Sequence, residues 1–181
     1  SIWKTPSRPG RPIPARAKYG STCCLIVAIS LSPVSFNTSG ARPSTMRKFR
    51  YMKACFPYLK ESQGTVVNFG SQAGLIGNWG MVGYNAAKEA NRALTRTAAR
   101  EWGPYNITVN TIIPGMLTER SQEFFEANPE HAANSLANIP MGRLGNPELE
   151  IGSLLVYLCS PGAHYITGDT FNVDGGRCLR P

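Results

Sequence analysis

The 181-residue sequence predicts an α/β fold, a doubly wound parallel sheet with helices on both faces. Three observations carry that prediction. From residue 46 onward, apolar runs of strand length alternate with longer runs of helical character. The strand-like runs are mostly apolar, as strands are when both faces of a sheet are covered. The stops between runs fall at Gly and Pro, at Gly103-Pro104 and Pro114-Gly115. Strand, helix, strand, helix, strand in that order means βαβ crossovers.

Taken in order, residues 1–20 place Pro6, Pro9, Pro12 and Pro14 among basic residues. Proline fixes φ and removes a donor, so an extended, solvated tail is expected. Residues 23–31, CCLIVAISL, read as a buried strand; a basic stretch before such a run also has the shape of a targeting leader. The Ser/Pro/Asn/Gly-rich residues 32–45 read as loop. The division is therefore a basic, Pro/Ser-rich, largely irregular segment over 1–45 and a domain over 46–181.

In that domain, MRKFRYMKACFPYLKES (46–62) reads as a helix to about Glu61, with Pro57 at a kink or a last turn. GTVVNFG is a β-branched strand, and YNAAKEANRALTRTAAREW (84–102) a strong helix. NITVNTII is the next strand, and residues 118–138 suggest one or two short polar helices. PELEIGSLLVYLCS (147–160) has Pro and acids early, as helix N-termini favour. GDTFNV is the last strand.

Composition narrows the class. Hydrophobic residues make up 42% and charged residues 17% of the chain, which is globular rather than disordered. Residues 1–60 carry eleven Lys or Arg and no acid, whereas residues 61–181 carry eight Lys or Arg and eleven acids. The basicity belongs to one segment, so neither nucleic acid nor a membrane is expected as partner. No run approaches eighteen apolar residues, which argues against a membrane-spanning helix. The five cysteines include no CxxC pair, which argues against a zinc site or disulfide framework and for a reducing, cytoplasmic setting.

The glycines of FGSQAGLIGNWGMVGYNAAKEA (69–90) do not have the spacing of a phosphate cradle. Tyr84 and Lys88 are four apart at the start of a helix and share a face. Ser71 lies thirteen residues upstream, at the carboxyl end of a strand, where α/β sheets place their ligands. Arg92, Arg96 and Arg100 read as a solvated helix stripe. Trp79 and Met81 suit a substrate contact or a subunit contact equally. His131 and His164 read as surface residues.

Ser71, then YNAAK, then VNTIIPG with Thr118, PMGRLGNPELE and YITGDTFNVDGG together resemble the short-chain dehydrogenase/reductase family. The likeness runs over residues 46–176 and is greatest to the single-domain branch that includes 3-oxoacyl-carrier-protein reductases. It implies a partial Rossmann-like fold lacking the first strands. It also implies NAD or NADP as cofactor and a small carbonyl or alcohol as substrate, with Ser71, Tyr84 and Lys88 as the catalytic residues. A tyrosine hydroxyl ordinarily ionises near pH ~10, and a lysine cation beside it favours the ionised form. By resemblance, Tyr84 is general acid and base and also a cofactor-binding residue, Ser71 a donor to the substrate oxygen, and Lys88 a ligand of the nicotinamide ribose. Pro114, Gly115 and Thr118 are then expected at the nicotinamide end of the cofactor. The 74–83 glycines are expected to shape a substrate loop, and residues 116–140 a lid. A homodimer or homotetramer through the helices at 46–61 and 84–102 is also implied.

The family's TGxxxGxG turn, which seats the cofactor pyrophosphate on a helix N-terminus, has no counterpart in residues 1–60. Where the family carries Asn-Asn-Ala-Gly this chain has AISLS, and the catalytic-helix asparagine falls on Ser44. The expectation is an incomplete copy with unrelated sequence before Met46, through a shifted frame or a wrongly joined exon. Two functions follow from different classes: an NAD(P)-dependent oxidoreductase, or a catalytically impaired homologue acting through subunit association.

Overall fold

The computed structural model describes residues 24–27 and 44–179. The tail over 1–20 and the loop over 32–45, but for Ser44 and Thr45, lie outside the described residues. Among the described residues four strands form one sheet in the order β1 (Cys24–Val27), β2 (Thr65–Phe69), β3 (Thr108–Pro114), β4 (Thr170–Val173). All three pairings are parallel, with Cys24 opposite Thr65, Thr65 opposite Thr108, and Thr111 opposite Thr170. Between β1 and β2 runs α1 (Ser44–Ser62); between β2 and β3 run α2 (Gln72–Ile76) and α3 (Val82–Trp102). The chain then forms α4 (Glu119–Ala127) and α5 (Pro129–Ala137), and α6 (Ser153–Leu158) precedes β4. The predicted alternation is the observed one.

Neighbouring strand residues point to opposite faces, and both faces are covered. Val66 packs with Met52 and Leu59 of α1 and with Ala98 and Trp102 of α3. Val67 packs on the other face with Ile112, Ile151 and Leu158. Trp102 is wholly buried, and its ring lies 5.0 Å from that of Phe56. Trp102→Ala leaves a cavity at the α1–α3–sheet junction. It is expected to cost about 3–5 kcal/mol of unfolding free energy, read as a lower denaturant midpoint.

Several local expectations need correction. Pro57 lies inside α1, which runs on to Ser62. The helix expected over 147–160 opens as a π-helical turn, Pro147–Gly152, capped by Asn146 Oδ1, which accepts from the Glu148 and Leu149 amides; α6 follows. Arg92 is not part of a solvated stripe. Its guanidinium pairs with Glu89 at 2.8 Å and donates to Thr170 Oγ1 at 3.4 Å, tying α3 to β4. Cys178 is a free thiol, whereas Cys159 is disulfide-bonded, against the reduced-thiol expectation. Among the described residues no helix is long and apolar enough to cross a membrane, and no cluster of metal-ligating side chains occurs.

Candidate active site

The corner where β2 ends sets the site. Gly70 continues the ladder, donating from its N–H to Ile112 O at 2.7 Å. A Cβ there would lie 2.9 Å from Thr111 Cγ2 and 3.0 Å from Ile113 Cγ1, so the sheet tolerates no side chain at this point. Ser71 then turns the chain into α2 as its N-cap, with Oγ accepting from the Ala73 amide at 3.3 Å. An acceptor role at the cap leaves the hydroxyl proton free to be donated elsewhere.

The short α2 rests directly on α3. A Cβ on Gly74 would meet the Glu89 amide nitrogen at 2.9 Å and the Lys88 carbonyl carbon at 3.1 Å. Gly74 therefore serves helix packing, and it also lines a cleft with Gly77, Asn78 and Gly80. Gly77 and Gly80, with φ of 67° and 75°, do serve turns. Gly74→Val is expected to push α2 off α3 at the level of Lys88, costing about 1–3 kcal/mol of stability by denaturant titration.

On α3, Tyr84 and Lys88 stand one turn apart. The Lys88 side chain folds back toward the sheet, with Nζ donating to Gly70 O at 3.3 Å and lying 5.4 Å from the centre of the Tyr84 ring. Burial lowers its pKa from the ordinary lysine value. Two further N–H donors of that ammonium have no partner among the described residues. A buried cation with spare donors at the carboxyl ends of parallel strands can donate to the oxygens of a ligand bound there.

Pro114, Gly115 and Thr118 form a second group, at the end of the adjacent strand β3. Gly115 donates to Val173 O at 2.8 Å, and a Cβ there would stand 2.8 Å from Asp174 Cα. Gly115 is thus required by backbone packing. It also lines a cleft of about 610 Å³ with Met141, Arg143, Asp174 and Gly176. Ser71, Tyr84 and Lys88 are not in that lining. Thr118 is the N-cap of α4 in a reciprocal capping box with Ser121, accepting from its amide at 3.2 Å. The register Phe69 opposite Ile112 puts both groups along the carboxyl edge of the sheet.

Two residues that sequence reasoning passed over join the first group. Lys48 Nζ donates to Phe69 O at 2.8 Å, and Asn91 Nδ2 donates to the same carbonyl at 3.3 Å. Lys48 is 2% exposed; burial, and then the neighbouring Lys88 cation, lower its pKa to about 7. The signal was present in the spacing. Lys48, Met52, Cys55 and Leu59 fall on one helical face, which places a lysine on a stripe otherwise apolar.

A family model described as Enoyl-(Acyl carrier protein) reductase matches residues 44–177, which contain both groups. The chain belongs to the short-chain dehydrogenase/reductase family. Within the family it is 49% identical over 133 residues to the 12α-hydroxysteroid dehydrogenase of a Clostridium species, covering 74% of this chain and 51% of that protein. It is 42% identical over 122 residues to the 3-oxoacyl-(acyl-carrier-protein) reductase FabG of Vibrio harveyi, covering 67% of this chain and 48% of that one. Among solved short-chain dehydrogenase/reductase structures, the Pseudomonas aeruginosa RhlG/NADP active-site complex matches with TM-score 0.68 at 31% identity. That match covers 74% of this chain and 54% of the other. The chain spans about half the length of the relatives it matches.

Proposed function

We propose that this site interconverts a carbonyl and an alcohol with NAD or NADP, Tyr84 acting as general acid in reduction and general base in oxidation. The observation that best supports this is the Lys88 ammonium, fixed to Gly70 O and held beside the Tyr84 ring. With the dinucleotide bound, hydride exchange at the substrate carbon is the chemistry the cofactor supplies. Tyr84 gives its phenolic proton to the substrate oxygen, or takes one from it, and the Lys88 cation stabilises negative charge on the phenolic oxygen. Ser71 donates its hydroxyl proton to that same substrate oxygen as charge develops there. Lys88 also holds the nicotinamide ribose, and Pro114, Gly115 and Thr118 border the nicotinamide end. The substrate is a small carbonyl or alcohol; a 3-oxoacyl thioester and a steroid ketone are the first to try, in view of the relatives. Self-association runs through the outer faces of α1 and α3, where Tyr51 and Tyr58 of α1 are exposed.

The test is calorimetric titration of the whole chain with NADH and NADPH, followed by carbonyl reduction. Binding with turnover supports the oxidoreductase reading. No binding at millimolar dinucleotide overturns it and leaves the association reading, which sedimentation of the same sample then decides.

A further inference from the structure

Two helices each send a lysine to the same corner of the sheet. Lys48 comes from α1 and Lys88 from α3, and their ammonium groups bond to consecutive carbonyls, Phe69 O and Gly70 O. The approach is pinned from the other side as well: Thr45 Oγ1 donates to Ala87 O at 2.9 Å, fastening the first turn of α1 to α3 beside Lys88. Both lysines are buried, at 2% and 8% exposure.

No carboxylate neutralises them among the described residues. Glu89, adjacent to Lys88 in sequence, is held by Arg92 at 2.8 Å and Arg96 at 3.8 Å on the other flank of α3. From β2 the group faces a carbonyl, from α3 the neutral Asn91 amide and Lys88, and beyond Lys88 the Tyr84 phenol. Asn91 Oδ1 is itself buried without a hydrogen-bond partner among the described residues. Two buried ammonium ions with no counter-ion repel, so one proton is cheaply shed.

We propose that Lys48 is a positioning residue for the Tyr84–Lys88 pair, a second buried amine that shares one positive charge with Lys88 and so sets the charge at the end of β2. Its effect on turnover rests on the proposed reaction; the coupling between the two amines does not. Lys48 is the one that loses its proton near neutrality, because burial and then Lys88 both act against its charge. As a neutral amine it still donates to Phe69 O while Lys88 keeps the cation beside Tyr84. When it is protonated, the corner carries two charges and the electrostatics at Tyr84 change.

The experiment is a pH titration of the full chain labelled with 13C at lysine Cε, followed by NMR. One lysine is expected to titrate at about pH 7 and to be missing from Lys48→Met. In Lys88→Met the Lys48 midpoint is expected to rise by about one pH unit, because the like charge is gone. If that variant fails to fold, Asn91→Asp, which sets a carboxylate beside the same carbonyl, is expected to raise the midpoint instead. A Lys48 signal titrating with the exposed lysines, or a midpoint indifferent to these changes, overturns the proposal. With turnover in hand, the pH–rate profile should show an inflection at about pH 7 that Lys48→Met removes. A chain that never turns over but shows the coupled titration refutes the reaction and keeps the coupling.

Discussion

Tyr84→Phe is expected to reduce carbonyl–alcohol turnover by about 10²–10⁴-fold while leaving the fold and dinucleotide affinity nearly intact. The change deletes one oxygen atom. That oxygen makes no hydrogen bond among the described residues, so its loss strands no partner inside the protein. Stability should therefore move by no more than about 0.5 kcal/mol. The ring remains to pack where Lys88 Nζ now sits 5.4 Å from its centre, so the lysine keeps its place on Gly70 O. A large fall in turnover with unchanged calorimetric binding assigns proton transfer to the phenol. Unchanged turnover would remove Tyr84 from the reaction. Lys88→Met is a blunter change, because it deletes a cation and a buried hydrogen bond together.

The second large effect is a rise in stability with pH that Lys48 drives. Its ordinary value of 10.5 falls to about 7 in the folded protein, from burial first and the Lys88 charge second. Below about pH 7 the amine is protonated in both states, and folding bears the full cost of burying its charge. Between about 7 and 10.5 the unfolded chain holds the proton and the folded chain does not, so raising the pH favours folding. The slope approaches about 1.4 kcal/mol per pH unit, and the contribution levels off once the unfolded chain is neutral too. Lys88, also lowered by burial, adds a slope of the same sign. Lys48→Met removes the charge and keeps most of the volume, at the loss of the bond to Phe69 O. At about pH 6 the variant is expected to be more stable than the parent by about 2–4 kcal/mol, and its stability should rise less steeply with pH. Urea denaturation at about pH 6 and about pH 9 measures both; equal slopes would mean that Lys48 is solvated.

Much of the fold was legible because its signals are local. β2, β3 and β4 announce themselves as β-branched runs closed by Gly or Pro, and α3 as an alanine-rich run stopped at Gly103. The Tyr84–Lys88 pair was legible because a spacing of four fixes a shared helical face whatever the helix packs against. The sequence placed Ser71 at the carboxyl end of a strand, and the short helix α2 that it caps appears only in the structure.

What stayed hidden depends on contacts between elements distant in sequence. Nothing local in the sequence shows that Gly74 lies on the backbone of α3 or that Asp174 packs against Gly115. Arg92 reads as solvated until β4 arrives to accept from it. Lys48 is the clearest case. Periodicity put it in line with Met52 and Leu59, but a long amphipathic side chain at the end of such a stripe ordinarily reaches water. The sequence by itself determined which residues could share a face and which chemistry Ser71, Tyr84 and Lys88 can offer. The tertiary structure alone decided that Lys48 and Lys88 meet at consecutive carbonyls. The reason is physical: whether an amine is solvated or buried beside another charge is set by what packs over it, and that is a property of two helices and a strand together.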